Sequence, residues 1–304
     1  MDRRNFIKVS GAAAAGLALS GCTPSAWSKR EEELFGHRQK GHFSLMQISS
    51  ATDTIGESYL IKTRGGKVIM VDGGFATDVP KLRGFLAKAG NHVDQWFITH
   101  PHEDHMEALA TILKDPQGIT VDKVIYSRLP DAFLDCEPGS AGNARGYYRA
   151  LDDCMDGTDF INVHHTGLRF DMDGVGIMIL SVADMEMAVR HYNEQSMIIR
   201  MWDDSKSVVF LGDAEEKRGE SVLAQYRDYL DCDYLQMAHH GQSGCNEKFY
   251  KSIHFRACLW PTPSWVWEPG ENTWLKTLET RRWMDEIGIT EHHVSCLEQD
   301  WTLL

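Results

Sequence analysis

Basic residues are in short supply in this chain of 304: 31 lysines and arginines stand against 44 aspartates and glutamates, a formal net charge of −13. The chain therefore lacks the electropositive footprint of a protein that grips a phosphate backbone, and a nucleic-acid substrate is disfavoured. An acidic chain can still present a positive cleft if divalent metals sit in it. The seven cysteines form no Cys-x-x-Cys pair, which removes a thiolate zinc site and a dithiol redox motif. Export would permit disulfides among Cys136, Cys154, Cys232, Cys245, Cys258 and Cys296, with a connectivity that spacing does not define. No glycine-rich phosphate cradle and no serine nucleophile elbow is present, so neither phosphate-loop nor serine-hydrolase chemistry competes for the reading.

What the chain does have is histidine in one place. Thr99-His100-Pro101-His102-Glu103-Asp104-His105 follows the apolar run Trp96-Phe97-Ile98 and precedes Met106 to Leu113, whose apolar residues recur at helical spacing. Three imidazoles and a carboxylate thus meet on one strand-to-helix turn. These are ligand types that a borderline divalent metal such as zinc accepts, and alternation along the loop can direct His100 and His102 to one ion and Asp104 and His105 to a second.

The N-terminus reads as an address. Arg3-Arg4-Asn5-Phe6-Ile7-Lys8 precedes an apolar stretch from Ala12 to Leu19, too short to cross a bilayer, and then Ser20-Gly21-Cys22. The arginine pair resembles a twin-arginine export signal and Leu19-Ser20-Gly21-Cys22 resembles a lipoprotein cleavage box. Residues 1–21 are expected to be an export signal, 22–41 a tether, and 42–304 the folded domain. The expected location is periplasmic, or membrane-anchored through a lipid on Cys22.

Within the domain, short β-prone runs at Phe43–Ile48, Ser58–Lys62 and Lys67–Val71 lead to Asp72-Gly73-Gly74. A helix is expected over Asp78–Ala89, ended by Gly90. The stretch from Asp115 to Leu168 is expected to supply a strand near Val121–Tyr126, a helix over Gly139–Asp152 and loops walling the site. His164-His165 has no ligand partner at suitable spacing. A second series of strands then delivers Asp213 from Phe210-Leu211-Gly212, and His239-His240-Gly241 from Tyr234–Ala238. Asp213 is the expected bridging ligand. Trp265 and Trp267, in a proline-rich loop, are placed either to line a pocket or to cover a core edge. Cys245 either approaches the site or is a small buried thiol.

His-x-His-x-Asp-His after a strand resembles the signature of the metallo-β-lactamase superfamily. The later elements, Asn193-x-x-Ser196, Phe-Leu-Gly-Asp-Ala-Glu and His-His-Gly, resemble the branch typified by the metallo-hydrolase domain of the DNA-uptake competence protein ComEC, over Phe43 to the C-terminus. The resemblance implies an α/β fold, the αββα four-layer sandwich, and two divalent metal ions, with zinc first and manganese or iron as alternatives. It implies Asp72 as an outer support of the metals, a role that competes with plain turn chemistry. It also implies a further histidine where this chain has Asn193, which leaves the first metal short of an imidazole; His191 is a nearby stand-in. The expected ligands are thus His100, His102, Asp104, His105, Asp213, His239 and Asn193. His239 is preferred to His240 because it directly ends the strand, which leaves His240 as a substrate-facing acid or an outer support. Asp104 would also orient the nucleophile. The implied activity is hydrolysis of a small phosphoester by a metal-bound hydroxide, ahead of a lactone or a β-lactam amide. A metal-binding surface lipoprotein without turnover is the rival reading.

Overall fold

The computed structural model describes residues 42–154, 157–187, 191–272 and 274–303. The expected export signal and tether lie outside the described residues. In chain order the strands are β1 Phe43–Gln47, β2 Tyr59–Thr63, β3 Val68–Val71, β4 His92–Val93, β5 Gln95–Phe97, β6 Thr120–Val121, β7 Lys123–Tyr126 and β8 Asp159–Asn162. There follow β9 Arg169–Met172, β10 Val175–Ile179, β11 Ile199–Trp202, β12 Ser207–Phe210, β13 Cys232–Gln236, β14 Phe255–Trp260, β15 Glu291–Val294 and β16 Thr302–Leu303. The helices of ten or more residues are α1 Val79–Ala89, α2 Glu103–Lys114, α3 Pro138–Asp152, α4 Glu216–Tyr226 and α5 Thr277–Glu286.

Two seven-stranded sheets result, ordered β16-β1-β2-β3-β5-β7-β8 and β15-β14-β13-β12-β11-β10-β9. They are mixed: β3, β5, β7 and β8 run parallel, as do β12, β13, β14 and β15, while the remaining neighbours are antiparallel. The composition of the central strands accounts for their position. Valine, isoleucine and methionine fill both faces of β3, and a strand apolar on both faces must be covered on both. Successive side chains point oppositely. Ile69, Val71, Phe97 and Ile125 accordingly enter the core between the sheets, whereas Val68, Met70, Trp96 and Val124 enter a second core under the helices. Leu82 and Leu86 of α1, Met106 and Leu109 of α2, and Leu151 of α3 close that second core. The two sheets flanked by helices form the four-layer αββα arrangement expected from the sequence.

The middle of the chain departs from expectation. Residues 115–168 do more than wall the site: β7 pairs with β5, and β8 extends the first sheet to its edge. The segment Asp159-Phe160-Ile161-Asn162 has the alternating, half-exposed character of an edge strand, too short and polar to stand out in the sequence.

Parallel strands leave by their carboxyl ends on one side of a sheet, and loops there are the natural place for a site. β3 leads to Asp72, β5 to Thr99 and His100, β12 to Asp213, and β13 to His239 and His240. Gln236, at the end of β13, ties this edge together: its Oε1 accepts from the backbone N–H of Leu211 at 2.6 Å and of Gly212 at 2.7 Å. Gly212 has φ +55°, and a Cβ there would lie 2.9 Å from Thr99 Cβ, so the loops bearing Asp213 and His100 approach as closely as glycine allows.

Candidate metal centre

Asp213 is buried, 1% exposed, between two groups of imidazoles. Its Oδ1 lies 3.2 Å from His105 Nε2 and 3.3 Å from His240 Nε2. Its Oδ2 lies 3.7 Å from His100 Nε2 and 3.8 Å from His239 Nε2. Asp104 joins the first group, its Oδ2 3.0 Å from His240 Nε2 and 3.6 Å from His105 Nε2. His102 joins the second, its Nδ1 2.9 Å from His100 Nε2.

Every ring is held from behind by an oxygen. His105 Nδ1 meets Asp72 Oδ2 at 2.8 Å, and the same carboxylate accepts from the Thr99 N–H and hydroxyl, both at 2.8 Å. His102 Nε2 meets Glu137 Oε2 at 2.7 Å. His100 Nδ1 lies 3.1 Å from Thr99 Oγ1, and His240 Nδ1 lies 3.2 Å from the Pro261 carbonyl. His239 Nδ1 meets Ser243 Oγ at 2.7 Å and Glu215 Oε1 at 3.1 Å. An outer acceptor fixes the proton on one nitrogen and leaves the lone pair of the other pointing inward, which is how metal-binding histidines are oriented.

The electrostatics are those of donors packed without a cation. Burial alone would lower the His240 pKa, but Asp213 and Asp104 raise it to about 10. His105 is likewise lowered by burial yet driven well above the usual imidazole range by Asp213 and Asp104. Asp213, despite burial that raises it, is held far below the ordinary carboxylate range by His240 and His105. His100 goes the other way: burial, then the neighbouring His105, keep it neutral. His105 Nε2, Asp213 Oδ1 and His240 Nε2 are buried yet make no well-formed hydrogen bond. Buried polar atoms left in that state cost about 1–3 kcal/mol each, and a cation among them removes the cost. The residues therefore fit a divalent metal pair.

Residues 51–166 match the family model of the Metallo-beta-lactamase superfamily, and residues 1–20 match that of the TAT (twin-arginine translocation) pathway signal sequence. Among solved structures, the metallo-beta-lactamase fold protein YhfI from Bacillus subtilis is similar with a TM-score of 0.54 at 15% identity, over 87% of this chain and 99% of that one. The chain has the metallo-β-lactamase fold. Unliganded yeast PDE1 is similar at a TM-score of 0.54 and 11% identity, over 86% of this chain and 99% of that one. CmlA, a diiron β-hydroxylase from Streptomyces venezuelae, is similar at 0.53 and 15% identity; 93% of this chain is covered but only 60% of CmlA. No curated protein sequence matches the chain.

Within this metallo-β-lactamase fold, the structure brings together His100, His102, Asp104, His105 and Asp213. It changes the expectation for His240 and leaves His239 beside the centre. His240, expected to face substrate, is fully buried with Nε2 between Asp104 and Asp213, whereas His239, expected there as ligand, has a side chain 19% exposed and lies toward Oδ2 of Asp213. The reason is conformational: both residues are left-handed, with φ +52° and +53°, so strand alternation no longer governs where the rings go. Asn193 sits beside His239, its Nδ2 3.3 Å from Nε2. His191 is exposed and approaches Glu137 at 3.6 Å, so it is no stand-in at Asp213. His164 and His165 are exposed.

Asp72 supports the site as well as turning the chain. Trp267 packs on Trp260 with ring centres 5.4 Å apart, while Trp265 is exposed beside Trp274. Cys245 is a buried thiol, 3.4 Å from the Ala214 carbonyl, and burial pushes it well up. Cys232, Cys245, Cys258 and Cys296 are free thiols. Sequence reasoning missed Glu57 and Glu137. Glu57, fully buried, has its carboxyl pushed up to about 8 by burial, with Oε2 3.7 Å from His240 Nδ1. Its one local signal is a carboxylate at the entrance to an apolar strand. Glu137 precedes α3 and has none.

Proposed function

We propose that this chain is an exported, metal-dependent hydrolase of a small phosphoester, its domain spanning 42–304 behind a cleaved signal of residues 1–21 and a tether of 22–41 that carries a lipid on Cys22. The observation that carries the reading is Asp213, whose two carboxylate oxygens each face a separate set of inward-turned imidazoles. His105, His240, Asp104 and Asp213 would hold one metal; His100, His102 and Asp213 would hold the other. Zinc suits this nitrogen-rich set, with manganese or iron as alternatives. A metal pair held by these residues would supply Lewis acidity toward the scissile group and lower the pKa of a bound water.

The chain's own residues do the rest. Asp72, Glu137, Glu215 and the Pro261 carbonyl orient the rings from behind. Burial of Asp104 and Asp213 keeps bulk water from screening their charge. His240 is enclosed by Glu57, Asp104 and Asp213, so it serves the site as a donor and not as an acid facing substrate. The competence-protein resemblance of Asn193, Ser196, Asp213 and His239-His240-Gly241 supports a phosphoester, and the net charge of −13 favours a small one over long DNA.

The test is metal content per chain of the purified mature protein, with hydrolysis of bis(p-nitrophenyl) phosphate measured with and without chelator. About two metals and chelator-sensitive turnover are expected. Metal without turnover on the phosphodiester, but with turnover on a lactone or β-lactam, would move the substrate class; metal without any turnover would leave a binding lipoprotein.

Proton release gives a second check. Metal-free protein carries a proton on His240 at neutral pH, since its pKa stands at about 10. Metal loading must expel that proton, so affinity should weaken as pH falls. Calorimetry at neutral pH in two buffers of different ionisation enthalpy should report release of about one proton or more per chain. Binding heats that are the same in both buffers would contradict it.

A further inference from the structure

The first metal pocket, as composed above, has two imidazoles and one oxygen of Asp213, because Asn193 stands where a histidine is otherwise implied. His239 lies at the open side of that pocket. Its Nε2 is 3.3 Å from Asn193 Nδ2 and 3.8 Å from Asp213 Oδ2, the oxygen that also faces His100. Its Nδ1 is enclosed by Ser243 Oγ at 2.7 Å and Glu215 Oε1 at 3.1 Å. With oxygens behind Nδ1, Nε2 is the nitrogen turned toward the pocket, as in His100, His105 and His240, whereas His102 turns its Nδ1 inward. Two consecutive left-handed residues are sterically expensive and persist where the surroundings impose them. Their effect is to set the His239 and His240 rings 67° apart in plane, with centres 6.0 Å apart, on opposite oxygens of Asp213.

We propose that His239 takes the place of the imidazole that Asn193 does not provide, closing the first pocket with His100, His102 and Oδ2 of Asp213, while its neighbour His240 closes the second. The exchange moves a ligand from the segment before β11 to the turn after β13. Each pocket then has four protein donors, with Asp213 shared. Asn193 is left as an amide beside the His239 ring and not as a ligand. This inference rests on the metal-hydrolase reading.

The experiment measures metal per chain by elemental analysis, and the visible spectrum of the cobalt(II)-substituted full-length mature protein, in wild type, His239→Ala, His239→Gln and Asn193→Ala, with folding checked by circular dichroism. Wild type should hold about two metals and either His239 variant about one, with affinity of the first pocket reduced roughly 100-fold or more. Asn193→Ala should keep two. Asn193→His placed in the His239→Ala background should restore the second metal and the cobalt band lost with it. Two metals and an unchanged cobalt spectrum in a folded His239→Gln protein, even with reduced turnover, would make His239 a proton-transfer residue and overturn the proposal. Loss of one metal from Asn193→Ala, with His239 variants intact, would also overturn it in favour of the amide as ligand. A wild type that binds no metal would remove the underlying hydrolase reading as well, an outcome distinct from both.

Discussion

Replacing Asp213 by alanine should abolish chelator-sensitive hydrolysis, with kcat/KM falling about 10³-fold or more, equivalent to roughly 4 kcal/mol of transition-state stabilisation. No other carboxylate among the described residues faces both groups of imidazoles. Oδ1 reaches His105 and His240, Oδ2 reaches His100 and His239, and Asp104 reaches only the first pair. The alanine variant should also lose metal, because neither set keeps a shared anion to hold two cations close together. In the metal-free state it leaves His240 with Asp104 at 3.0 Å and His105 with Asp72 at 2.8 Å as the nearest remaining counter-charges. Breaking a buried ion pair by removing one partner costs about 3–5 kcal/mol, so the melting temperature must be measured beside the activity. Asp213→Asn, of nearly equal volume, separates charge from packing. Should a folded Asp213→Ala protein retain wild-type metal content and turnover, the bridging role is wrong.

Asp72→Ala should have the second-largest effect, and it acts on the fold and the site together. The side chain is fully buried and accepts from Thr99 N–H, Thr99 Oγ1 and His105 Nδ1. Burial raises its pKa, and His105 and Thr99 oppose that rise. Alanine strands all three donors in the interior at once. The expected destabilisation is about 3–5 kcal/mol, the range for leaving a buried charge unpaired. Metal affinity should drop roughly 10–100-fold, as it does when a histidine loses the carboxylate behind it. Asp72→Asn keeps an acceptor for the Thr99 N–H but can turn its amide toward His105 Nδ1, which disfavours the tautomer whose Nε2 lone pair faces Asp213. It should therefore melt closer to wild type than alanine does while binding metal nearly as weakly. Chemical denaturation and metal titration of the two variants read these effects separately. If Asp72→Asn binds metal as tightly as wild type, tautomer control by Asp72 is refuted.

The donor types and the sandwich were legible in the sequence because both are local properties. A strand apolar on both faces, such as β3, demands cover on both sides wherever it sits. His100, His102, Asp104 and His105 lie within six positions on one turn, so their convergence needs no long-range contact. Asp213 could be placed because a carboxylate leaving an apolar strand through Gly212 repeats the architecture of the first loop. The edge strand β8 escaped because half-exposed, polar segments of four residues carry little pattern.

What tertiary structure alone decided is where each side chain points once the chain leaves regular structure. His239 and His240 are chemically identical and adjacent, and no spacing rule distinguishes them. Their consecutive left-handed backbones, set by packing against Asp213, Pro261, Ser243 and Glu215, send one ring to each oxygen of a single carboxylate. Glu57 and Glu137 reach the site from 183 and 103 residues away from His240 along the chain, respectively by burial beside Nδ1 of His240 and by contact with His102. Sequence determines which donors are available; only the meeting of β3, β5, β12 and β13 at one edge determines which atom of each donor faces the centre, because that choice depends on what stands behind the ring.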